Sequence, residues 1–166
     1  MGLLKTGILI CFFSSGLNEI PKSFKLFTKT LTIYFCISTI LKALIIFPHL
    51  ALIQTVYEIG LTFVFVGTLL LLFRKSAQFL QTMTALLTCQ SIVAFCTIPV
   101  TLWLSVASSS IILIPFYTQG VFLVWGLAVI CYILKETLVK EVSFSFQLAC
   151  LYFVQIFGVS SILAMV

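Results

Sequence analysis

Phe79–Leu104 reads FLQTMTALLTCQSIVAFCTIPVTLWL, 26 residues without a charge, entered just after Arg74 and Lys75. About 20 mainly apolar residues are enough for a helix to cross the hydrocarbon core of a bilayer. Gln81, Thr84, Thr88 and Ser91 follow one another at steps of three and four, so they share one helical face. Lipid offers no hydrogen-bond partner, so such a stripe is expected to face other helices and hold them together. The stretch reads as the central helix of a small membrane bundle.

Composition agrees. Of 166 residues 62% are hydrophobic and 8% charged, with 17 Phe and no Asp, and the mean hydropathy is +1.29. A soluble domain carries roughly 25% charged residues, so this chain cannot solvate an ordinary surface. The fold class is therefore all-α, a single integral membrane domain. Nine basic residues give a net charge of +5. They are scattered, whereas a nucleic-acid footprint needs them clustered on one face; no nucleic-acid partner is expected.

Around the central stretch, four further spans are read at about 30–47, 55–73, 111–134 and 144–165. Residues 1–29 form an N-terminal cytoplasmic segment, and 30–166 the five-helix domain. The start, MGLLKTGILICFFSSG, has too short an apolar core for a secretory signal, in which roughly 7–15 residues are usual. Gly2 and Thr6 match a short N-myristoylation pattern, but the preferred reading is a short interfacial helix lying along the membrane. Asn18, Glu19 and Pro21 mark a turn, and Pro48 to Gln54 a connection. Pro99 is expected to kink the third span near its exit. SVASSS (105–110) is an uncharged turn, and Glu136 with Lys140 an i,i+4 pair in a solvated connection.

Counting charges orients the bundle. Alternating spans put Lys5, Lys22, Lys25, Lys29, Arg74, Lys75, Lys135 and Lys140 on one side and Lys42 alone on the other. Positive-inside bias then places the N-terminus in the cytoplasm and the C-terminus outside; were the cell bacterial, the membrane would be the inner one.

Three ionisable side chains fall on the outer side: Lys42, His49 and Glu58, the last about one turn inside the second span. Intramembrane ionisable groups often handle protons or ions. The favoured reading here is a Lys42–Glu58 pair joining two helix ends at the headgroups. Gln147 and Gln155 share a face of the last span and read, like the Gln81 stripe, as packing residues. Trp125, in mid-span, reads as a space filler whose N–H bonds a Gln or Thr of a neighbour. Cys89 and Cys96 share a face, but no His or acidic residue stands at a zinc spacing. With one His, no Asp and no phosphate loop or nucleophile motif, neither a catalytic constellation nor a metal or cofactor site is expected.

Pro21-Lys22-Ser23-Phe24, the run Phe79-Leu80-Gln81-Thr82-Met83-Thr84-Ala85-Leu86, Pro99 and Trp125 give the chain an order of features that resembles the Yip family. The founding members of that family interact with Ypt/Rab GTPases, and the likeness is greatest to the small five-span bacterial Yip-like domains. The resemblance implies an N-inside, C-outside bundle. The eukaryotic members carry a longer soluble N-terminal region for GTPase contact, whereas about 29 residues precede the first span here, so no functional residue is carried over.

The function expected from the sequence is a non-enzymatic scaffold or accessory subunit. It would act through helix contacts with the lipid bilayer, a membrane-protein partner or further copies of itself. The alternative is an oligomeric transporter or channel subunit with a path lined by Gln81, Thr84, Thr88 and Ser91.

Overall fold

The computed structural model describes residues 3–14, 16, 20–106, 113–139 and 141–164, and among these every regular element is helical. In chain order they are α1 (Leu3–Cys11), α2 (Phe24–Ala43), α3 (Pro48–Leu72), a 3-10 turn at Ser76–Gln78, α4 (Phe79–Val106), α5 (Leu113–Leu138) and α6 (Val142–Ala164). Four helical segments are long and apolar enough to cross a membrane: Phe24–Ala43, Pro48–Leu72, Ser76–Val106 and Leu113–Leu138. In α6 the apolar part whose side chains are described, Val142–Ile156, is shorter. Gly2, Asn18, Glu19, most of the SVASSS connection, Lys140 and Met165 lie outside the described residues.

The largest departure from the sequence reading is the start of α3. Residues 48–54, expected as a connection, are helical, and Pro48 opens the helix. Proline suits that position because its missing N–H is one the first turn leaves unpaired anyway. The helix ends where Arg74 adopts φ 55°. There Lys75 N–H bonds Leu70 O at 2.8 Å and Arg74 N–H bonds Leu71 O at 3.1 Å, the paired closure of a Schellman motif. α1 closes in the same way around Phe13, φ 58°. α4 runs unbroken through Pro99.

α4 is central because it is wrapped on every side. Nine consecutive residues, Gln81–Cys89, are buried, which at 3.6 residues per turn covers the whole circumference. α2, α5, α1 and α3 all pack on it. The hydroxyls this buries are satisfied within the helix: Thr84 donates to Leu80 O, Thr88 to Thr84 O and Ser91 to Leu87 O, each at 2.6 Å. Thr82 also meets Thr137 of α5 at 3.3 Å.

α1 does not lie along the surface. Thr6, Gly7, Ile10 and Cys11 are buried against α4 and α5. Trp125 Nε1 donates to Cys11 O at 3.1 Å, satisfying a carbonyl that the end of α1 leaves free. This, rather than a Gln or Thr, is the indole's partner. The approach is close: a Cβ on Gly7 would stand 2.5 Å from the Thr88 methyl. α1 is buried because Gly7 has no side chain and α4 presents small threonines there.

α6 turns Ser145, Ala149, Tyr152 and Ile156 inward. Gln147 and Leu151 are exposed on the opposite side and Gln155 is half-buried. Gln147 therefore does not pack within the chain and Gln155 does so only in part, because the apolar and small residues of α6 hold the buried side.

Replacing Gly7 by Val is expected to release α1 from α4, at an overpacking cost of about 1–3 kcal/mol. In a Trp103→Phe background, in lipid nanodiscs, the remaining Trp125 emission should shift as its bond to Cys11 is lost. The melting temperature should fall with it; an unchanged spectrum would contradict the docking.

Candidate functional site

Between α2, α3, α4, α5 and α6 lies a cavity of about 390 Å³, within the size range of small-molecule sites, about 300–1,000 Å³. Its wall is mostly aliphatic and aromatic, with Leu86, Val93, Phe122, Ile130 and Phe153 among the lining side chains. Polar groups interrupt it at Tyr34, Ser38, Lys42, Glu58, Gln90 and Gln119. Ile45, after α2, and Leu123 of α5 also line it and are 68% and 40% exposed.

The charged part of the wall is an ion pair. Lys42 Nζ donates to Glu58 Oε2, and the two side chains are 18% and 15% exposed. Because α3 begins at Pro48, Glu58 lies ten residues into a helix of 25, about 15 Å along its axis. The sequence reading put it one turn inside. The early helix start moves it to mid-helix, and the flexible stem of Lys42 reaches it from near the end of α2. The Tyr34 hydroxyl stands beside Ser38 and Glu58, in a residue only 3% exposed. His49 does not join the pair; it is exposed at the start of α3 and stacks on Phe47, with centroids 5.9 Å apart.

A neutral hydrogen-bond chain runs beside the pair. Gln90 Nε2 donates to the Tyr152 hydroxyl at 2.7 Å, which lies 3.0 Å from Thr62 Oγ1. Thr62 Oγ1 bonds the Glu58 backbone carbonyl at 2.8 Å. Thr62 has one hydroxyl proton, and the carbonyl can only accept, so Tyr152 donates to Thr62 and the chain has one direction. Gln90 Oε1, in contrast, is buried without a partner among the described residues. A buried acceptor left unpaired costs roughly 1–3 kcal/mol.

The stripe Gln81, Thr84, Thr88, Ser91 does not line this cavity. Its hydroxyls are spent on α4's own carbonyls, and Gln81 Nε2 donates to Ile20 O at 3.0 Å, tying the segment before α2 to the bundle. The cavity instead uses Gln90, about 100° around the helix from Ser91. Sequence reasoning missed Gln90, Thr62, Tyr34 and Tyr152. Gln90 was visible as a polar residue off the stripe. Thr62 and Tyr152 are 90 residues apart, and nothing local pairs them.

All six cysteines are free, and no cluster of three or more His, Cys, Asp or Glu that could hold a metal ion occurs among the described residues. No described protein family, curated protein or solved structure matches the chain.

Removing one partner of a desolvated pair strands the other charge, at about 3–5 kcal/mol when burial is complete. Partial exposure here reduces that, and Lys42→Met or Glu58→Leu alone should each cost on the order of 2 kcal/mol. The double variant should lose less than the sum of the two. A double-mutant cycle on thermal melting in nanodiscs reads the coupling, and strict additivity would deny the pair any energetic role.

Proposed function

We propose that this chain is a five-span, non-enzymatic membrane protein that holds a small molecule in its interior cavity, as a transporter-type subunit. Its fifth crossing is α6, its amino terminus is cytoplasmic and its carboxyl terminus is outside. The observation that carries the functional part is the Lys42–Glu58 pair in the wall of a 390 Å³ cavity, with Glu58 at mid-helix. An ion pair is costly to desolvate and replaceable by apolar residues at little or no loss of stability. Its position against open space, rather than in packed core, favours a role toward a ligand. The eight-to-one charge count supports the orientation, and the Yip-like order of features agrees with it.

The scaffold reading draws on the polar stripe of α4. That stripe is consumed inside the chain, by α4's own carbonyls and by Ile20, which leaves it without free groups for a partner. The same fact weighs against the stripe as a transport path. The exposed Gln147 of α6 is the polar side chain this reading leaves for contact with a second copy.

Single cysteines in a cysteine-free background test the site. Ala94→Cys and Gly126→Cys, both on the cavity wall, should react with a membrane-permeant maleimide at least tenfold faster than Thr84→Cys or Ser91→Cys. The reverse order would restore the stripe as the path, and equal slow rates at all four would return the protein to a scaffold. A reporter fused after Val166 should read external; a cytoplasmic signal would mean that α6 does not cross.

A further inference from the structure

The Lys42–Glu58 pair also specifies the charge of what the cavity can hold, and this inference rests on the reading of the cavity as a ligand site. The two partners differ in reach. Glu58 is the eleventh residue of α3, about 15 Å from one end of the helix and about 21 Å from the other. Its short side chain reaches the headgroups at neither end, so its charge stays in the cavity wall. Lys42 stands in the last turn of α2, one residue before its end. Its long stem can turn outward to the headgroups, past the carbonyl end of the helix, where a cation is favoured. Of the two, the lysine is the one that can leave.

Charge balance then selects the ligand. Lys42 and Glu58 are the charged side chains of the wall among the described residues, and most of the other lining residues are apolar. An unneutralised charge in such surroundings is costly. An anion that took Lys42 would strand Glu58. A cation that took Glu58 would send Lys42 to the headgroups and leave the cavity neutral, with one charge of each sign as before. Both cations cannot stay, because one carboxylate neutralises only one of them. A zwitterion bridging the pair would put four charges where there are two.

The rest of the wall suits such an ion. Tyr34, Phe122 and Phe153 line the cavity, and aromatic side chains attract cations at their faces. The Tyr34 hydroxyl, beside Glu58, remains to hold the carboxylate after Lys42 has gone. Leu86, Val93 and Ile130 accommodate an apolar body. At about 30 Å³ per water-sized atom, 390 Å³ holds on the order of a dozen non-hydrogen atoms.

We infer that the cavity binds a small apolar organic monocation, which takes the place of Lys42 on Glu58 while the lysine swings out of the wall.

The test uses the full chain in lipid nanodiscs, with empty nanodiscs as the partition control. Four probes of similar size are compared. They are N,N-dimethyl-2-phenylethylamine, its uncharged carbon isostere isopentylbenzene, the anion 4-phenylbutyrate and the zwitterion N,N-dimethylphenylalanine. The tertiary amine is protonated at neutral pH and is not acylated, so a water-soluble succinimidyl ester can report on lysines in its presence. Saturating amine should raise the acylation rate of Lys42 severalfold, mapped by peptide mass spectrometry, and leave Lys25 and Lys29 unchanged. Equilibrium dialysis of each probe in tritiated form should show saturable binding of the amine alone. Lys42→Met removes the competitor and should tighten amine binding about tenfold, the order of one partly buried ion pair. Glu58→Gln should abolish it. An unchanged Lys42 rate at saturating amine, or undiminished binding by Glu58→Gln, would overturn the exchange while leaving the cavity as a ligand site. Binding of the isostere, anion or zwitterion as tight as that of the amine would do the same. Saturable binding of no probe would overturn the cavity reading and this inference with it. So would binding insensitive to both Ala94→Phe and Gly126→Leu in protein whose helical circular dichroism is intact.

Discussion

Within a bilayer, apolar surface gains nothing by leaving lipid for another helix, so what holds this bundle together is close packing and the pairing of polar groups. Those two requirements meet on α4. Its first half is enclosed around the full circumference, and each of its buried hydroxyls needs a partner. Threonine and serine solve this locally, by donating to the carbonyl four residues back. Most of its neighbours then need to supply only shape, with polar bonds to other segments at Gln81, Thr82 and Gln90.

The short α1 follows from the same constraint. A helix of nine residues is marginal alone; it is held because Gly7 lets its backbone reach Thr88 and because Trp125 accepts the task of pairing its terminal carbonyl. Phe12 and Phe13 continue the contact, against Trp125 and Tyr132, with centroids 5.9 and 5.3 Å apart. These rings lie on the chain between α1 and the Ile20 anchor on Gln81. The amino-terminal segment is thus attached at both ends to α4 and α5.

The cavity lies where packing stops. Two small residues, Ala94 of α4 and Gly126 of α5, are part of its wall. The polar residues at or near it fall into two sets. Tyr152, Thr62 and the Gln90 amide nitrogen form a completed chain that ties α6, α3 and α4 together, a structural use. Lys42 and Glu58 pair with each other across its wall, which joins α2 to α3.

Much of this was legible in the residues alone. Hydropathy and length marked the membrane class, the helical character and the location of α2 to α5, because crossing a hydrocarbon core is a requirement each segment meets by itself. Pro48 opening α3 is likewise a local signal, since proline suits the first turn of a helix. Tertiary structure decided the rest. Whether the Gln81 stripe faces a path or a neighbour, whether Gln147 points in or out, and whether α1 lies on the bundle or inside it all depend on which faces meet. Helices that are apolar almost all round do not encode that choice in their periodicity. The Tyr152–Thr62 bond joins residues 90 apart, and the cavity is defined by what five helices together fail to fill. Such properties belong to the packed assembly, because a hydrogen bond or a void between helices exists only once their relative positions are set.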